Sequence, residues 1–80
     1  MDKDLALLIL SSCTQSTRQL ADLASMVKEH AEPEDYEHLK LAIGNAINGV
    51  MSEIVDYVEG RCPELKADRE RRLDRFGRAF

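Results

Sequence analysis

Apolar positions recur along the chain at intervals of three and four, in three blocks separated by two X-Pro steps. The first block carries Ala6, Ile9, Leu10, Cys13, Thr17, Leu20, Leu23, Ala24, Val27 and Ala31. That spacing predicts one amphipathic helix over about 3–30, with Asp2 or Asp4 as its N-cap and both suited to the positive end of the helix dipole. The Ser/Thr-rich stretch 11–17 has weak helix propensity, so tertiary packing has to hold it. Pro33 breaks the pattern, because it restrains the residue before it and tolerates the first turn of a new helix. Glu34, Asp35 and Glu37 then fill that first turn. A second helix over about 34–59 follows, closed by Gly60 as a C′ residue. Pro63 opens a third, over about 63–79, whose apolar stripe is thin: Leu65, Leu73, Phe76 and Phe80. The expected fold is all-α, a single helical domain over 1–80. It is a long antiparallel helical hairpin with a shorter basic C-terminal helix docked on it.

The middle helix is the unusual one. On a wheel of about 100° per residue, Tyr36, Leu39, Ile43, Ile47, Val50, Ile54 and Tyr57 form the centre of one face. One shoulder holds Ala42, Ala46 and Gly49, and the other Gly44, Met51, Val55 and Val58. The apolar arc spans roughly 240°, against the stripe of about 100° or more that a surface helix needs. A single neighbouring helix does not cover such an arc. The third helix is expected to fold back over one shoulder beside Leu5, Leu7 and Leu8. The other shoulder calls for a second copy, so two hairpins are expected to pair as a homodimeric helical bundle. Glycine inside a helix costs about 1 kcal/mol relative to alanine, which suggests that Ala42, Gly44, Ala46 and Gly49 admit another backbone. With Met51, Val55 and Val58 they form the expected helix-packing or dimer interface. Asn45, Asn48, Ser52, Asp56 and Glu59 fall in the polar strip. The two asparagines there are either inert or set a register.

Eighty residues with 44% hydrophobic and 32% charged content describe a small globular domain,. A chain of this size buries only about 60% of its unfolded surface, which again favours a partner subunit. The apolar run 5–10 follows Asp2, Lys3 and Asp4 and is short for a signal segment. No stretch reaches the roughly 20 apolar residues of a membrane span, and the expected location is cytoplasmic. Cys13 and Cys62 form no metal-type spacing and are expected as two reduced thiols, Cys13 as a small core residue.

Charge is uneven. Residues 1–60 hold four Lys/Arg and eleven Asp/Glu, a net −7, and residues 61–80 hold seven and four, a net +3. The third helix carries Arg69, Arg71, Arg72, Arg75 and Arg78, of which Arg71, Arg75 and Arg78 share a face. Arginine suits bidentate contact with phosphate or carboxylate, so these five are candidates for an anion or partner contact. Spacing also allows Asp68–Arg72 and Asp74–Arg78 pairs within the helix, and an acidic body repels a phosphate backbone.

Candidate chemistry is sparse. His30 and His38 flank an acidic turn with Glu32, Glu34, Asp35 and Glu37, but the spacing matches no established metal set, and a solvated turn is the simpler reading. Glu53 at the edge of the apolar arc reads as a carboxylate that pairs with a neighbouring Arg or snorkels, not as a general acid. No nucleophile motif or phosphate loop is present, so no enzyme activity, cofactor or metal is expected. The sequence points to a small non-enzymatic regulatory or adaptor protein of the inhibitor, antiactivator or immunity type. Its expected partners are itself and another protein. Nucleic-acid binding through the third helix ranks second, and a structural subunit of a larger assembly third.

Overall fold

The computed structural model describes residues 1–77. Among them every regular element is helical: α1 (Lys3–His30), α2 (Pro33–Gly49), a π turn (Val50–Val55), α3 (Asp56–Arg61) and α4 (Pro63–Phe76). Helix α1 starts where its cap allows. Asp2 is extended, and its carboxylate accepts from the Leu5 N–H at 2.9 Å. In the Ser/Thr-rich stretch both threonine hydroxyls turn onto their own helix: Thr14 donates to the Leu10 carbonyl and Thr17 to that of Thr14, both at 3.0 Å. This satisfies the hydroxyls without breaking the helix. Ala31 and Glu32 are extended, as the following Pro33 demands, and Pro33 takes the first position of α2,.

The middle segment departs from the expectation of one regular helix over 34–59. It runs from 33 to 61 and contains a π turn. The Val50 N–H reaches both the Ala46 and Ile47 carbonyls, and the Asp56 N–H reaches Met51, five residues back. A π turn takes up one residue more than an α turn, so every later side chain is rotated by one position. The burial pattern follows. Ile54 and Tyr57, expected at the centre of the apolar face, are 42% and 59% exposed, while Val55 and Val58 are 5% and 2% exposed. Gly60 does not end the helix either. The break falls at Cys62, with φ −136° and ψ 75°, because the residue before Pro63 is driven out of the α region.

Helix α4 stops at Gly77, whose φ of 72° places it in the left-handed region. Its N–H caps the Leu73 carbonyl at 2.9 Å. Glycine reaches that conformation without the Cβ clash other residues meet. The expected end near residue 79, together with Arg78 and Phe80, lies outside the described residues.

One apolar cluster holds these parts together: Ala6, Leu10 and Cys13 of α1 with Val55, Val58, Cys62 and Leu65. The start of α1 thus meets the end of the middle segment and the start of α4. Leu65 is buried, but Leu73 and Phe76 remain 42% and 64% exposed. Both cysteines are free thiols buried in this cluster. Away from it, only Ile43 is buried within α2. The molecule is elongated, 44 × 25 × 15 Å, with a radius of gyration of 14.9 Å, against about 12 Å for a compact chain of this length. No helix among the described residues is long and apolar enough to cross a membrane.

Candidate functional site

The seam between α1 and the π turn has two flanks, one on each side of the buried line through Ala6, Leu10 and Cys13. The first is covered by α4. There Arg69 and Leu73 stand over Leu10, Thr14, Thr17, Met51 and Val55, leaving a small cavity of about 120 Å³. The second is bare. It is a groove of about 380 Å³ walled by Leu8, Ile9, Ser12, Ser16, Val50 and Ile54 over the Cys13 thiol. None of these groove residues is charged. The π turn sorts residues between the flanks, sending Val55 to the core and the α4 side and Ile54 to the open groove.

The covered flank is fixed by an ion pair that the periodicity does not announce. Glu59 falls in the polar strip of a uniform α wheel, yet it is 3% exposed. Its carboxylate accepts two hydrogen bonds from the Arg69 guanidinium, 2.6 Å from Nε and 2.9 Å from Nη2. A bidentate pair of this kind offsets the desolvation of both charges. Arg69, a candidate for an anion or partner contact, is held within the chain as a clamp that ties α4 to α3. One signal for this is present in the sequence. Continued at a uniform α period, the line through Ile54 and Tyr57 reaches Arg61, a cation, whereas the line through Val55 and Val58 reaches Cys62. The second line is the one a core selects, and it carries Glu59 inward with it.

The remaining candidate arginines are not brought together into one site. Arg71 pairs with Asp68 at 3.4 Å on an exposed surface, an i,i+3 contact. The Arg75 guanidinium lies 5.0 Å from the Phe76 ring centre. Arg72 is half-buried.

The expected interface residues divide. Val55 and Val58 are core residues of this chain, so helix packing accounts for them and they are not available to a partner. Met51 is 39% exposed beside α4. Ala42, Ala46 and Gly49 continue, at helical spacing, the flank that bears Val50 and Ile54, and Ala42 and Ala46 are exposed. A Cβ placed on Gly44 or on Gly49 would meet nothing within 4 Å. Among the described residues, no backbone of a neighbouring element comes that close to either glycine. Helix α4 lies beside Leu10, Thr14 and Thr17 through Arg69 and Leu73, and through Leu65 it joins the cluster against which Leu7 packs. Leu7 is half-buried, while Leu5 and Leu8 are 50% and 67% exposed.

At the acidic turn His30 lies 3.9 Å from Glu29 on a solvated surface. Among the described residues no three His, Cys, Asp or Glu side chains converge as a metal site would require.

Among the described residues the apolar seam has one covered flank and one open flank. Comparison with known protein families, with curated proteins and with solved structures finds no match.

Proposed function

We propose that this protein is a small non-enzymatic regulator or adaptor that works by protein–protein association, with a homodimer as its working form. In this reading α1 and residues 33–61 make an antiparallel hairpin, and two hairpins pair into a helical bundle. The observation that carries it is the uncharged groove of about 380 Å³ on the flank opposite α4. Its walls include the exposed side chains of Leu8 and Ile54, and clustered exposed apolar side chains favour association.

Nucleic-acid binding by α4 has less to draw on. Arg69 is committed to Glu59 and Arg71 to Asp68, which leaves fewer cations for phosphate, the main source of such affinity. Sedimentation equilibrium across a wide concentration range tests the association reading, with a dimer as the expected species. A strict monomer of 9.1 kDa at every concentration overturns the homodimer. Affinity capture from the native host then names the further partner.

A further inference from the structure

We infer that the open groove is closed by the same groove of a second copy, with the two α1 helices crossing antiparallel at Ser12. This rests on the self-association reading and specifies its surface. The first argument is area. The chain exposes 5850 Å², whereas a compact monomer of its mass exposes about 4,900 Å². The surplus of about 1,000 Å², summed over the whole elongated chain, is enough to supply the roughly 800 Å² that each partner contributes to a standard interface.

The second argument is chemistry. With no charged residue lining the groove, an acidic or basic partner segment would carry its charge into an apolar contact without compensation. A second copy brings an equally uncharged surface.

The third argument is shape. One end of the flank is bulky and exposed: Leu5, Leu8, Ile54 and Tyr57 are 50%, 67%, 42% and 59% exposed. The other end is small: Ser16, Ala46 and Gly49. A twofold axis through Ser12 sets Leu8 of each copy opposite Ser16 of the partner subunit, because both lie four residues from the axis. The bulky end of each copy then fills the small end of the other, as an isologous contact requires. The open space beside the missing Cβ of Gly49 falls at this small end.

The test uses the full-length chain. Wild type is first sized by sedimentation. Ser12→Cys is then treated with a mild oxidant, and non-reducing electrophoresis is expected to show a covalent dimer, since symmetry-related cysteines at the crossing come within the roughly 7 Å between Cα atoms that a disulfide spans. Glu37→Cys, at an exposed position near the start of α2, is expected to stay uncrosslinked. Leu8→Glu is expected to weaken association on the order of a hundredfold, because it places an unpaired carboxylate in an apolar contact. Its helix content and urea midpoint should match wild type, since Leu8 is 67% exposed in the single chain. If wild type dimerises but Ser12→Cys does not crosslink and Leu8→Glu changes nothing, association uses another surface and this inference falls alone. If wild type is a monomer at all concentrations, the self-association reading falls and takes this one with it. Loss of a different captured protein in Leu8→Glu, with wild type monomeric, assigns the groove to that protein instead.

Discussion

The two flanks of the seam are built from the same two helical segments, yet one is sealed and the other is not. On the sealed side, one buried leucine of α4, Leu65, and one bidentate ion pair hold a 14-residue helix in place. On the open side the neighbouring apolar side chains, Leu8 and Ile54, stand in solvent. Hydrophobicity alone does not separate the flanks, since each offers a similar apolar wall. What separates them is the π turn. It sets Glu59 where Arg69 of α4 reaches it and turns Ile54 to the far side. A single residue of helical register thus decides which face the chain covers itself and which it leaves open.

The largest expected effect comes from cutting the clamp. Arg69→Met leaves the Glu59 carboxylate buried and unpaired, which costs about 3–5 kcal/mol, a large share of a small domain's stability. Urea denaturation should show a sharply lowered midpoint. Changing both partners, Glu59→Met with Arg69→Met, should recover most of the loss, since matched apolar groups often replace a buried pair without penalty. If the single change is tolerated within about 0.5 kcal/mol, as surface substitutions are, the sealed flank does not depend on the pair.

A smaller effect tests the register. Deleting Ser52, an exposed residue inside the π turn, removes the extra residue. Val55, Val58 and Glu59 should keep their places on an unbroken α-helix, with stability within about 1 kcal/mol of wild type, the scale of one hydrogen bond. Amide exchange across 50–56 should then show protection continuous with its neighbours. Deleting Gln15 from α1, where no surplus turn exists, is the control and should disrupt folding. Equal damage from both deletions would mean that the π turn is not the element that absorbs the register.

The smallest effect concerns the glycines. A Cβ at Gly44 meets nothing within 4 Å, and the residue has no positive φ. Gly44→Ala should therefore raise stability by about 0.5–1 kcal/mol through helix propensity alone, read as a higher thermal midpoint at low concentration. A loss in its place would show that something packs against this position.

Much of the fold is legible in the sequence. The three helical blocks, an aspartate N-cap at Asp2 or Asp4 and the breaks before Pro33 and Pro63 follow from cap chemistry and from proline's restraint on the residue before it, both local effects. Burial of Ala6, Leu10, Cys13 and Leu65 follows from spacing. Other features are less visible. Gly77 is a readable stop signal at the end of α4, but the apolar stripe running on to Phe80 favours a longer helix. The π turn hides because Ile54 and Tyr57, like Val55 and Val58, are apolar, so a uniform period fits either line until Arg61 and Cys62 are compared. The oversized apolar arc of the middle segment partly reflects a pair of successive registers superposed on one wheel.

The sequence by itself determined that this chain is helical, where its helices are interrupted, and that its apolar surface exceeds what one short chain can bury. Only the tertiary structure decided which apolar line faces inward and that Glu59 belongs to Arg69. It also decided which flank α4 covers. Helix type and helix ends are set by interactions within a few residues. Register and side are set by what meets across the seam, ten or more residues away in the chain, where periodicity alone is indifferent and packing and charge pairing choose.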